Sequence, residues 1–137
     1  EDSSLNAKSL KNPYLFRLKD GDFGVVAIRT EPNGDQDPES KGNVLFFTSP
    51  DLVQYEEVGL INLQTDQYIE DIVCDYDESQ DIYVISWKDA EGKFYQNHMQ
   101  DPKKLTIGDK PQEHLLYTDL FVNRSTRLLH IAKDRKR

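Results

Sequence analysis

Cysteine is almost missing from this chain: Cys74 is the only one in 137 residues. A lone thiol excludes an internal disulfide framework and any zinc site built from cysteines. It sits in the apolar run Ile72-Val73-Cys74, where a buried structural thiol is expected. Histidine is scarce as well. His98, His114 and His130 are scattered without ligand spacing, so no metal site is expected from them. The acidic stretch 35–39 lacks the regular Asp-x-Asp-x-Asp-Gly pattern that calcium loops use. No Gly-x-Gly-x-x-Gly, P-loop or Gly-x-Ser-x-Gly elbow occurs, so no motif calls for a dinucleotide, a nucleoside triphosphate or a serine nucleophile. No organic cofactor is expected. No apolar run reaches membrane-spanning length and no signal peptide is visible, which leaves the compartment open.

Positive charge is lacking over most of the chain. The net charge is −8, yet residues 124–137 alone hold six basic residues against Asp134, leaving −13 for residues 1–123. So acidic a body argues against binding a nucleic-acid backbone, which needs a basic face. The basic tail is read as a solvated end or the start of a following segment. Hydrophobic content is 36% and mean hydropathy −0.74. The chain is nevertheless expected to fold, because its apolar residues are gathered into strand-sized runs.

Those runs recur. Residues 1–11 read as a polar lead-in. From Asn12 the chain gives Tyr14-Leu15-Phe16-Arg17-Leu18, the turn Lys19-Asp20-Gly21-Asp22, and the strand Phe23–Thr30, apolar enough to be buried on both faces. The stretch 31–42, with two prolines, two glycines and five charges, is a surface loop. Strands at 44–48 and 55–61 follow. From Glu70 the pattern returns, with strands at 72–76, 82–87, 93–99 and a fourth placed at 105–107. Residues 109–113 read as a linker. Apolar positions between 114 and 132 fit a strand followed by a short helix, or a strand pair. Asn123-Arg124-Ser125 matches the glycosylation pattern.

The expected architecture is therefore all-β: two propeller-like blades of four antiparallel strands, at residues 12–63 and 70–110, followed by a C-terminal segment at 111–137. A β-sandwich is the alternative. Closing a propeller ring takes roughly four blades or more, and two are visible.

The residues that carry this repeat also resemble a family. Asn12-Pro13-Tyr14 stands where family-43 glycoside hydrolases, five-bladed propellers, open their first blade with Asp-Pro. Thr48-Ser49-Pro50-Asp51-Leu52, then Tyr55 and Glu56, is similar to that family's Thr-Ser-x-Asp-Leu signature. Glu70-Asp71-Ile72-Val73 with Ile82-Tyr83-Val84-Ile85-Ser86-Trp87 resembles the opening of its second blade. The likeness covers residues 12–107. It implies hydrolysis of arabinose- or xylose-containing plant-type glycans by a base and an acid about 6.5–9.5 Å apart in an inverting reaction. Asn12 occupies the position resembling the general base, and a carboxamide takes no proton from water at neutral pH. No acid-bearing blade is visible. The resemblance thus implies part of such an enzyme, inactive alone, with carbohydrate as ligand and the remaining blades or a self-associating copy as partners. The rival expectation is a non-catalytic β domain that binds glycan or protein.

No catalytic residue can be assigned. The candidate substrate-binding residues are Asn12, whose amide can bind a sugar hydroxyl; Glu70 and Asp71, where a strand enters the propeller centre; Trp87, the single tryptophan, as a sugar platform or as core; and Arg29, as a hydroxyl-binding group or one half of an ion pair.

Overall fold

The structure, a computed structural model, describes residues 8–108 and the backbone of 112–114. The sequence reading of the 111–137 segment, its basic tail and its glycosylation pattern otherwise lies outside the described residues.

Period-two alternation sets the first sheet. In β1 (Ser9–Arg17), Tyr14 and Phe16 turn inward while Leu15 and Arg17 turn outward. The turn through Gly21, at φ 98°, closes with a 2.8 Å bond from Leu18 N to Asp22 O and returns the chain as β2 (Phe23–Thr30). The loop and a short 3-10 turn at Pro38–Ser40 lead to β3 (Asn43–Ser49). Ser49 and Asp51 then build the next turn from their own side chains. Ser49 Oγ accepts from Leu52 N at 2.8 Å, and Asp51 Oδ1 accepts from Val53 N at 2.9 Å and Gln54 N at 3.0 Å. This local bonding turns the chain into β4 (Glu56–Asn62).

The second sheet repeats the scheme with β5 (Ile69–Asp77), β6 (Ile82–Asp89), β7 (Phe94–Met99) and a short β8 (Gln112–His114). Both sheets are antiparallel meanders, ordered β1-β2-β3-β4 and β5-β6-β7-β8. The fold is all-β, as expected.

One core serves both sheets. Phe16 is held between Phe46, at 6.2 Å between ring centroids, and Tyr83 of the second sheet, at 6.1 Å and edge-on. Val26, Val44, Ile61, Ile72, Cys74, Ile85 and Met99 are among the others in it, all with at most 1% of their surface exposed. Each large apolar side chain so buried contributes roughly 1.5–3 kcal/mol. Gly24 is required beneath Phe16. A Cβ there would lie 2.7 Å from Phe16 Cζ. Cys74 is buried, and loss of solvation, with a smaller push from Asp75, drives its thiol pKa well above the ordinary range.

Two details differ from the sequence reading. β1 begins at Ser9, inside the polar lead-in, because main-chain pairing of Ser9, Leu10 and Lys11 with Thr30, Arg29 and Ile28 extends the strand regardless of side-chain polarity. Residues 105–107 are not the fourth strand of the second sheet; that position falls to Gln112–His114, which begins in the stretch read as a linker and ends one residue beyond it. Instead, the turn at Pro102–Lys104 sends the chain across to the first sheet. Leu105, at φ 62°, lies over Gly59, and its carbonyl accepts from Asn62 N at 3.4 Å. The outer side of the first sheet is also partly covered. Phe23, Ala27 and Leu45 point away from the shared core yet are at most 4% exposed. Among the described residues, only Leu10, Val53 and Tyr55 are large, apolar and exposed.

Candidate functional site

The register of β1 breaks between Lys11 and Tyr14. Asn12 sits in that bulge at φ 53°, a left-handed conformation that asparagine tolerates better than most residues. The bulge aims its side chain at the start of β5, where Asn12 Nδ2 donates to the backbone carbonyl of Glu70 at 2.9 Å. Lys11 Nζ reaches Glu70 Oε1 at 3.3 Å. Both partners in that ion pair are well exposed, so it adds little stability. Two of the five candidates, Asn12 and Glu70, are therefore in direct contact, and their contact joins the two sheets.

Asp71 lies beside them at a second irregularity, between Ile69 and Asp71 of β5, and its Oδ1 accepts from Ile72 N at 2.9 Å. Its carboxylate thus serves the local backbone. Farther along the same strands, Tyr14 donates its hydroxyl to Asp75 Oδ2 at 3.0 Å. Lys19 N then donates to the Tyr83 hydroxyl at 2.9 Å, and Lys19 Nζ lies 3.1 Å from Asp81. Ordered along the chain, residues 12, 14 and 19 meet 70, 75 and 81–83. β1 and β5 thus run alongside one another in the same direction, tied by side chains rather than by a ladder.

Trp87 and Arg29 are placed apart from this junction. Trp87 is wholly buried on the inner face of β6 and stacks on Tyr95 at 5.8 Å. Its Nε1 has no hydrogen-bond partner among the described residues. The ring is in the core and presents no side to solvent. Arg29 points to the outer side of β2. Its Nε donates to Asp37 Oδ2 at 2.8 Å, and its Nη2 lies 3.5 Å from Glu39. Lys8 adds a second cation, 3.5 Å from Asp37 and 3.0 Å from Glu31. The Asp37 side chain is fully buried. Burial pushes its pKa up, but the hydrogen bonds from Arg29 and Glu39 N, with the charges of Arg29 and Lys8, outweigh that and hold it below the usual carboxylate range. Lys8 is raised chiefly by its hydrogen bond to Glu31. This network fastens the 31–42 loop to the sheet.

Sequence reasoning missed Asp37, which it weighed only within a calcium pattern. The available signal was Asp37-Pro38, an acceptor before a proline at the start of a turn; Asp37 Oδ1 does cap Glu39 N, at 3.0 Å. Tyr14 and Asp75 carried no comparable signal, because only the pairing of sheets brings them together.

At the far end of β1 and β5 lies an open groove of about 240 Å³, lined by residues including Lys19, Asp20, Tyr83 and Lys103. It is smaller than most ligand pockets, which span roughly 300–1,000 Å³. Its lysines face acids, Lys19 on Asp81 and Lys103 on Asp20 at 3.6 Å. Nearby, Tyr76 is pushed up to about 12, first by its 2.6 Å hydrogen bond to Asp81 and then by burial. No His, Cys, Asp and Glu grouping able to hold a metal ion is present among the described residues. Among the same residues, no helix is long and apolar enough to cross a membrane.

What the Asn12 junction can do chemically is donate and accept hydrogen bonds; its geometry supplies no proton acceptor at residue 12. No family model matches this chain, and no curated protein matches its sequence.

Proposed function

We propose that this chain is two consecutive blades of a propeller glycosidase resembling family 43, part of a hydrolase acting on arabinose- or xylose-containing plant-type glycans, and inactive alone. The observation that carries this reading is the parallel course of β1 and β5. Repetition about a central axis sets the first strand of each blade beside the first strand of the next, in the same direction. Two meanders of identical order, joined through their first strands, fit that rule. The rest of the ring, or a second copy, is the partner, and carbohydrate is the ligand.

Inactivity follows from residue 12. Asn12 cannot act as a base, and its amide donor is already engaged by Glu70 O. The purified chain should release no sugar from aryl arabinosides or xylosides; turnover above the uncatalysed rate would refute this. Sedimentation of a clean monomer at tens of micromolar, unchanged on adding candidate partner domains, would remove the support for missing blades.

A second reading is a non-catalytic β domain that binds glycan or protein. The 2.9 Å bond from Asn12 to Glu70 O favours it, since the carboxamide is built into the junction and does not stand in for a missing base. Affinity electrophoresis in arabinoxylan would separate glycan binding from a purely protein-binding role. Retardation lost in Glu70→Ala supports glycan contact at the junction, and unretarded migration of the parent chain argues for a protein partner.

A further inference from the structure

The loop that Asp37 anchors contains a second kind of chemistry, independent of the Asn12 junction. Of the seven asparagines in the sequence, only Asn33 is followed by glycine. A side chain on the following residue hinders attack of its backbone nitrogen on the asparagine carbonyl, and Gly34 has none. Asn33 and Gly34 are both exposed. A Cβ on Gly34 would meet nothing within 4 Å, so the turn is open around that residue. We propose that Asn33 is a site of spontaneous deamidation, gated by opening of the turn that holds it.

The reaction balances with water alone. The Gly34 backbone nitrogen, losing its proton to solvent base, attacks Asn33 Cγ. The new N–Cγ bond forms, the Cγ–Nδ2 bond breaks, and Nδ2 leaves as ammonia after taking a proton from solvent. Water then opens the cyclic imide at either carbonyl, leaving aspartate or isoaspartate at position 33. No oxidant, metal or enzyme is required.

The gate is visible in the hydrogen bonds of the turn. Gly34 N, the nucleophile, donates to Glu31 O at 2.8 Å. Asn33 Oδ1 accepts from Asp35 N at 3.0 Å, and Asn33 Nδ2 donates to Asp35 Oδ2 at 3.1 Å. The nitrogen and the amide are both held by other partners, so the turn must open before they meet. Conversion then weakens the turn. The donor to Asp35 is replaced by a carboxylate, and two like charges face one another where a hydrogen bond had been. Isoaspartate also lengthens the main chain inside a turn closed by the 2.9 Å bond from Glu31 N to Asp35 O. Because Glu31 pairs with Lys8, the change loosens that loop anchor.

The test is incubation of the full chain at mildly alkaline pH, native and in urea, followed by peptide mapping and isoaspartyl-methyltransferase labelling. The expected result is conversion at Asn33 before any other asparagine, about tenfold slower in the native chain than in urea, as loss of one or two net turn hydrogen bonds requires. Asn33→Gln should abolish the early label. First conversion at another asparagine, or an intact Asn33 in both samples, would overturn the site; equal native and unfolded rates would overturn the gate.

Discussion

Asp37 shows how one residue can hold a loop as a buried anion between two cations, Arg29 and Lys8. Removing its charge in Asp37→Asn leaves Arg29 and Lys8 without their shared partner. Both cations keep some solvent contact, so the cost should be about 1–3 kcal/mol in urea unfolding, less than for a fully enclosed pair. The pH dependence has a definite sign. The folded-state pKa lies below the ordinary 3.8, so between the two values the unfolded chain binds more protons. The stabilisation is complete above the unfolded value and drains away as pH falls through the folded one. Acid titration of the parent and of Asp37→Asn should therefore give stability curves separated above pH 4 and converging below it; parallel curves down to acid unfolding would exclude the ion pair as the cause.

Trp87 makes the opposite case. Its indole N–H is buried with no partner among the described residues, a penalty of about 1–3 kcal/mol already present in the folded state. Trp87→Phe removes that unmet donor but also removes packed ring area, and the two changes oppose one another. Stability within about 1 kcal/mol of the parent is expected. Tyr14→Phe removes the bond to Asp75, and a loss of about 1 kcal/mol is expected. A large loss in Trp87→Phe beside a negligible one in Tyr14→Phe would invert this ranking.

At the scale of strands, Gly24 has little room to change. Phe16 Cζ occupies the space where a Cβ would stand, and that ring is wedged between Phe46 and Tyr83. Gly24→Val should cost about 1–3 kcal/mol through overpacking, measurable as a lowered urea midpoint. The strands were readable in the sequence wherever burial acts directly on their residues. Apolar β-branched runs marked β2, β3, β5 and β6, and turn residues marked their ends. What could not be read was set by partners distant in sequence. The start of β1 depends on β2, and the detour at Leu105 depends on a glycine in another sheet. The candidate site divides in the same way. Asn12 and Glu70 were singled out and do meet, but through a main-chain carbonyl, which no side-chain pattern announces. Arg29 was foreseen as one half of an ion pair, while its partner was not identified.

For the whole molecule, the shared core predicts one transition. Phe16 and Tyr83 touch across the sheets, and Asn12 and Tyr14 of β1, with Lys19 of the turn after it, tie the first sheet to the second. Trp87 fluorescence, which reports on the second sheet, should follow the same urea curve as far-UV circular dichroism. Gly24→Val, though confined to the first sheet, should lower both midpoints equally. A shift in the dichroism midpoint with an unmoved fluorescence midpoint would mean that the sheets unfold separately.

The meander order has a consequence for the chain as it is made. The first sheet is complete at Asn62, but the aromatic face it turns toward β5 and β6 stays uncovered until Asp89 has been synthesised. At about 5–20 residues per second, that is an interval of roughly one to five seconds. During it, Tyr14, Phe16, Val26 and Phe46 form a finished but wet surface on a nascent chain. Until β5 and β6 cover it, that surface is open to wrong contacts or to a chaperone, so the apolar pattern of the first sheet bears on how the chain is made as well as on how it is held.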